Sequence, residues 1–447
     1  MTVSDGAEGV TPWNTEPRAK CMVRFRPHDN YKGEFGFDWL RIEDNGFEKE
    51  PPYKYTIEGG YKDGISDYSD TEAFEVLKNE YKKVQIWGFG LSDMGVVLNT
   101  GFGEYYVPYL NLFPEPYIDI PNTPPYEAEL KVLVEIKDAD VEEIKLEYNS
   151  AIFSIDGQDT FSLNDKAICP LQLSANRTIK ITCKKEVRTR LDGEICAYAY
   201  FKDWRGDIKK ALAGKIQVGV NDKRSIKEVK IVLVHVTTNI TGNDRKTGEF
   251  STEEQKQLRQ TLHQALVRPL ISTATLDLSN NPRLKTGGIY VNRRNILRRS
   301  GADSLVKYLK TQFMNDPNNA EYRNHIPVFA IGNPGEAGGL FGYCDTDRDA
   351  RGNLIRFLKN SVCFTPSEDS RILRPVGTMP HEVLHGFQLF HTHIDGDPPL
   401  KHPNIKYIYP NAQTDGPLEA TDNVMSYNFG KMWTTWHWQW EIIRSNL

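Results

Sequence analysis

At 447 residues, 39% of them hydrophobic and 26% charged, the chain is long enough for two or three domains, each with its own core. Its net charge of -5 is spread without a basic stripe, which argues against a nucleic-acid partner. No apolar run approaches the length of a membrane span, and the first ten residues lack the basic and apolar regions of a secretory signal peptide.

Residues 1–125 hold 21 of the chain's 49 aromatic residues, a density that argues for a folded domain rather than a disordered leader. Short strands are expected at Phe35–Trp39, Tyr53–Ile57, Val84–Trp87 and Tyr105–Tyr109, and a helix at Thr71–Lys82. This segment reads as a β-rich accessory or targeting domain. Its stretches Cys21–Pro27 (CMVRFRP) and Gly33–Trp39 (GEFGFDW) resemble leader modules of Bacteroidetes proteins associated with type VI secretion. That resemblance implies export without a signal peptide, and contact with secretion machinery or a target surface through residues 1–222. A cytoplasmic location is the alternative.

A linker is expected at Pro121–Pro125. From 126 to 222, alternating runs recur at Glu129–Val134, Ile144–Tyr148, Thr178–Thr182, Ile195–Tyr200 and Lys215–Val220, with Asp-Gly turns at 156–157 and 192–193. Period-two patterning of this kind predicts an immunoglobulin-like β-sandwich, a module that spaces or binds. The six cysteines show no C-x-x-C pair. Cys183 with Cys169 or Cys196 is a conceivable bridge, and buried free thiols are the favoured reading.

From 223 to 447 strand and helix alternate. Val229–Val236 predicts a buried strand, and Ser251–Glu254 opens a capping-box helix running to about Arg268. A helix near Ala302–Met314 and a strand at Ile326–Ile331 follow, and another helix is expected after Pro380. The segment Gly332–Gly339 reads as a rim loop. Asp345, Asp347 and Asp349 begin like a calcium loop but lack its glycine and its final glutamate, so an exposed acidic turn is favoured over an irregular structural Ca2+ site. Trp433, Trp436, Trp438 and Trp440 are expected to pack a C-terminal helix.

The chemistry lies in His381, Glu382, His385 and His391. On a helix, positions i and i+4 share a face, so His381 and His385 can bind one metal while Glu382 reaches a water on it. A straight helix would put His391 about 80° off that face, so the helix must end near Gly386–Gln388 and the chain must bend. Three imidazoles leave the fourth position of zinc open, the arrangement of a catalytic site. A competing set would use Glu419 as third ligand, and His393 competes more closely with His391; the spacing favours His391. Six of the ten histidines lie between His381 and His437, which concentrates imidazole where the motif is.

These residues, with the turn Asn423–Tyr427 (NVMSY), resemble the metzincin clan of zinc endopeptidases, and within it the pappalysin-type branch. The resemblance covers roughly 223–447 and implies a metzincin-like α+β peptidase domain cleaving a protein or peptide substrate. It implies Zn2+ on His381, His385 and His391, Glu382 as general base, Met425 as a hydrophobic floor, and Tyr427 as a catalytic phenol or simply a packed side chain. One departure stands out: the clan's glycine is Gln388 here, and Gly386 is offered as the residue that ends the helix instead. Cys21 lacks the surroundings of a zinc-blocking switch. The rival readings are a binding or delivery protein with a weakly active protease domain, and a zinc amidase acting on cell-wall crosslinks. Residues 223–447 are expected to fold and cleave without the preceding domains.

Overall fold

The computed structural model describes residues 21–41, 75–86, 104–117, 124–136, 141–157, 160–162, 178–202, 206–301, 303–336, 340–366, 373–393, 402–407, 421–427 and 430–447, with short strands at 62–63, 89–91 and 97–99. The chain is β-rich with few helices, divided among several sheets. Cys169, Glu419, the Tyr53–Ile57 strand and the first residues of the Thr71–Lys82 helix lie outside the described residues; 75–78 are helical.

Two sheets enclose one core. The first runs Cys21–Pro27, Glu127–Ile136, Thr178–Cys183, Phe153–Gly157. The second runs Thr160–Ser162, Glu143–Glu147, Glu194–Lys202, Ile208–Val218, Tyr109–Asn111, Gly36–Asp38. Alternation decides what faces inward: Ile179, Ile181 and Cys183 from one sheet meet Ile195, Ala197 and Ala199 from the other. Cys183 and Cys196 are free thiols, and the buried Cys21 lies in this core rather than at the histidine motif.

The expected boundary at residue 125 is not where the sheets divide. Cys21–Pro27 pairs antiparallel with Leu130–Ile136. Tyr109–Asn111 pairs with Gly36–Asp38 and also runs parallel to Gln217–Val218. Strands from the first segment therefore complete both sheets and cover edges that would otherwise be open. The predicted strand at Tyr105–Tyr109 splits into Glu104–Tyr106 and Tyr109–Asn111 around Pro108, which has no N–H for a ladder.

The second region is built on a mostly parallel sheet. Strand β1 (Lys227–Thr238) lies between β2 (Val267–Asp277) and β3 (Ile326–Ile331), both parallel to it. The edge strand β4 (Gly342–Arg348) pairs antiparallel with β5 (Leu354–Phe364), which runs parallel to β3. Helix α1 (Thr252–Gln264) has the expected capping box between Ser251 and Glu254. It stops at Gln264, short of Arg268, because Leu266 turns left-handed (φ 56°) and Val267 opens β2, a strand the sequence reading did not anticipate. Helix α2 (Leu305–Asn315) packs on one face of the sheet, and α1, α3 (Thr378–Gly386) and α4 (His437–Ser445) on the other. Helix α3 begins two residues before Pro380, which the first turn tolerates because its N–H groups have no partners there. Trp436, Trp438 and Trp440 are buried around α4, as packing predicts.

The acidic turn does not gather its carboxylates. Asp345 accepts from Asn360, Asp347 pairs with Arg356, and Asp349 caps the turn through Arg351 and Asn353. Among the described residues the histidine motif is the one group of three or more such side chains placed to hold a metal ion.

A polar seam joins the two regions. Gln264, buried at the end of α1, donates to Gly33 O (3.1 Å) and Trp433 O (2.9 Å) and accepts from Thr435 N (2.7 Å). Its own carbonyl accepts from Asn111 (2.8 Å). A side chain on Gly36 would collide with that carbonyl at 2.4 Å, so this approach requires glycine. Beside it, Asp38 pairs with Arg41 (3.1 Å) and accepts from the Tyr81 hydroxyl (2.8 Å) and the His437 N–H (2.9 Å). Tyr109 stacks on the His437 ring at 3.8 Å. No helix among the described residues is long and apolar enough to cross a membrane.

Candidate metal centre

All nine residues of α3 are buried, so its polar side chains need partners inside the protein. The helix ends in a Schellman turn: Gln388 N–H donates to His385 O (2.7 Å) and Leu389 N–H to Leu384 O (3.2 Å). Gln388 is left-handed (φ 66°) and occupies the place where the clan has glycine. A non-glycine residue in that conformation costs about 1–2 kcal/mol. The bend is therefore at Gln388 and not at Gly386, where an added side chain would meet Leu358 and Lys359 at ordinary van der Waals distance.

The bend brings His391 back over the helix. Its Nε2 lies 3.1 Å from Nε2 of His381 and 3.1 Å from Nε2 of His385, and the three ligand atoms lie within 4.8 Å of one another. His381 Nδ1 donates to Val424 O (2.8 Å) and His385 Nδ1 to Leu389 O (2.7 Å). Carbonyls only accept, so both rings carry a proton on Nδ1 and turn Nε2 toward His391. Burial, reinforced by His381 and then His393, holds the His391 pKa well below 6.5, which keeps that ring neutral. Three imidazole nitrogens gathered this closely could hold a metal ion. Tetrahedral ligands about 2.0–2.1 Å from a metal stand about 3.3 Å apart, so small ring rotations suffice.

Glu382, next to His381 in α3, is buried. Burial pushes its carboxyl up to about 8, against the pull of Arg299 and the Cys344 N–H. A cation on the imidazoles would draw it down again. A side chain on Gly342 would meet Glu382 Cγ at 3.0 Å, so this glycine in the edge strand makes room for the carboxylate.

Met425 is fully buried in the core that also holds Val383 and Leu384. Its N–H donates to Asn423 Oδ1 (2.9 Å) and its carbonyl accepts from Thr392 N–H (3.2 Å). Asn423 and Gln439 exchange two amide hydrogen bonds (2.8 and 3.2 Å), and Gln439 also accepts from Trp436 N–H (2.8 Å). The turn carrying Val424 O, the anchor of His381, is thus tied to α4. The Tyr427 ring lies 4.7 Å from that of His391 and 5.8 Å from that of His381. His393 is fully buried and stacks on His391 at 4.9 Å; it stands behind the ligands, not in solvent.

Sequence reasoning missed the supporting partners, chiefly Gln439, Gly342 and Phe357. The Phe357 ring stacks on His385 at 4.6 Å. None sits at a fixed spacing from the histidines, so spacing gave no signal for them. Neither a protein-family model nor a curated protein matches the chain.

Proposed function

We propose that the chain is a zinc-dependent endopeptidase of metzincin type, with the immunoglobulin-like sandwich serving to space or target it. One observation carries the reading: three Nε2 atoms converge, two of them fixed from behind by carbonyls, with the buried Glu382 alongside. Imidazole donors with an open fourth position suit zinc. Zinc held by His381, His385 and His391 would supply a Lewis acid that acidifies water and polarises a carbonyl.

The chain's own groups do the rest. The edge strand β4 has a sheet partner on one side only among the described residues, and an extended peptide would lie along the other. Glu382, within reach of that strand, takes a proton from the attacking water and passes it to the leaving amine. The Tyr427 hydroxyl, beside His391, donates to the oxygen on which charge develops. Val424 O and Leu389 O keep the two helical imidazoles oriented while this happens.

The test is zinc content and hydrolysis of an unfolded protein by wild type and Glu382→Gln, with peptidoglycan assayed alongside. Both proteins should hold one zinc, and the variant should lose at least ~10²–10⁴ in turnover. A zinc-loaded variant with near-normal turnover would discard Glu382 as the base. Turnover of peptidoglycan alone would discard the endopeptidase reading.

A further inference from the structure

We infer that Gln388 is a positioning residue for the metal centre: its amide pins β5 so that Phe357 holds the imidazole of His385 in place. The inference rests on the metal-site reading and extends it to a residue outside the ligand set. Strand β5 is paired with β3 only from Ser361 onward, and at Phe357 it has β4 on one side. Gln388 covers the other side. Its Nε2 donates to Phe357 O (2.8 Å) and its Oε1 accepts from Phe357 N–H (3.2 Å). Exchanging both bonds with one residue is what a neighbouring strand would do. The ring of Phe357 then lies nearly parallel to His385 (24°) and edge-on to Phe390 at 5.0 Å.

His385 is therefore fixed twice over by the same turn. Leu389 O holds its Nδ1, and Phe357, fastened by Gln388, covers its face. A glycine at 388 would adopt the left-handed turn freely but could not grip the strand. A strained non-glycine residue persisting where glycine would be easier points to a function for its side chain.

The experiment compares wild type, Gln388→Gly and Phe357→Leu for Zn2+ affinity by chelator competition, for the visible spectrum of Co2+-loaded protein, and for melting of the metal-free protein. Gln388→Gly should bind zinc about tenfold more weakly, as loss of support behind a ligand commonly does, with an altered cobalt spectrum. Its metal-free melting temperature should stay near wild type, because relief of the turn offsets the lost hydrogen bonds. Phe357→Leu acts on the same contact without touching the turn, so it decides the matter if the glycine variant fails to fold; it should weaken zinc similarly. Zinc affinities within twofold of wild type, with or without lower melting, would overturn the inference. A folded wild type that takes up no zinc would instead overturn the metal reading itself.

Discussion

The two faces of the central parallel sheet are filled in different ways. On the α2 side, Val232, Val234 and Val236 of β1 meet Phe329, Val362, Leu305, Leu309 and Phe313, an apolar packing. On the other side Ile231 and Leu233 meet a core threaded with buried Glu254, Gln257, Gln264, Asn423, Gln439 and the histidine motif. The first face is held by area removed from water, which tolerates changes of shape. The second is held by directional bonds, each costly to break and each fixing a position. Stability is spread over the sheet; geometry is concentrated on one side of it.

Deleting residues 1–222 should break the polar side most completely. The seam argues against the expectation that residues 223–447 suffice: Gln264 would lose Gly33, and His437 would lose Asp38 and Tyr109. Fragments starting near residue 223 should lack a cooperative melt and soluble yield; a folded, zinc-binding fragment would refute this. Next in size, Phe313→Ala on the apolar side should cost about 3–5 kcal/mol in denaturant unfolding and leave zinc affinity unchanged. Asn423→Ala should cost less, about 1–3 kcal/mol, yet weaken zinc about tenfold by freeing the turn behind His381. Equal effects of the two substitutions on zinc would erase the contrast between the faces.

The smallest effect is a slope with pH. In the metal-free chain Glu382 keeps its proton to about pH 8, whereas an unfolded glutamate loses it near 4.5. Folding then binds a proton, so this group lowers stability as pH rises through that window. The depressed His391 acts oppositely, but below 6.5. Melting of metal-free protein should therefore fall between pH 6.5 and 8, and Glu382→Gln should flatten the fall. An unchanged slope in the variant would assign the titration elsewhere.

Local codes were legible in the sequence. The capping box at Ser251, the strand Ile326–Ile331 and the convergence of His381, His385 and His391 follow from spacing, because a helix face or a strand is set by neighbours in the chain. The bend after Gly386 was also legible, although its seat at Gln388 was not, since nothing local says that a glutamine amide will offset a strained turn. What remained hidden was long-range. The pairing of Cys21–Pro27 with Leu130–Ile136 joins segments a hundred residues apart, and composition alone suggested a boundary between them. The Asn423–Gln439 pair is equally invisible until α4 is folded back.

The bond from His437 to Asp38 joins positions 399 apart. During synthesis the histidine motif leaves the ribosome before α4 does. Until that helix emerges, Gln439 cannot grip Asn423, and the turn that holds His381 has no anchor. The order of residues thus leaves the support behind His381 to be completed only after α4 has been made.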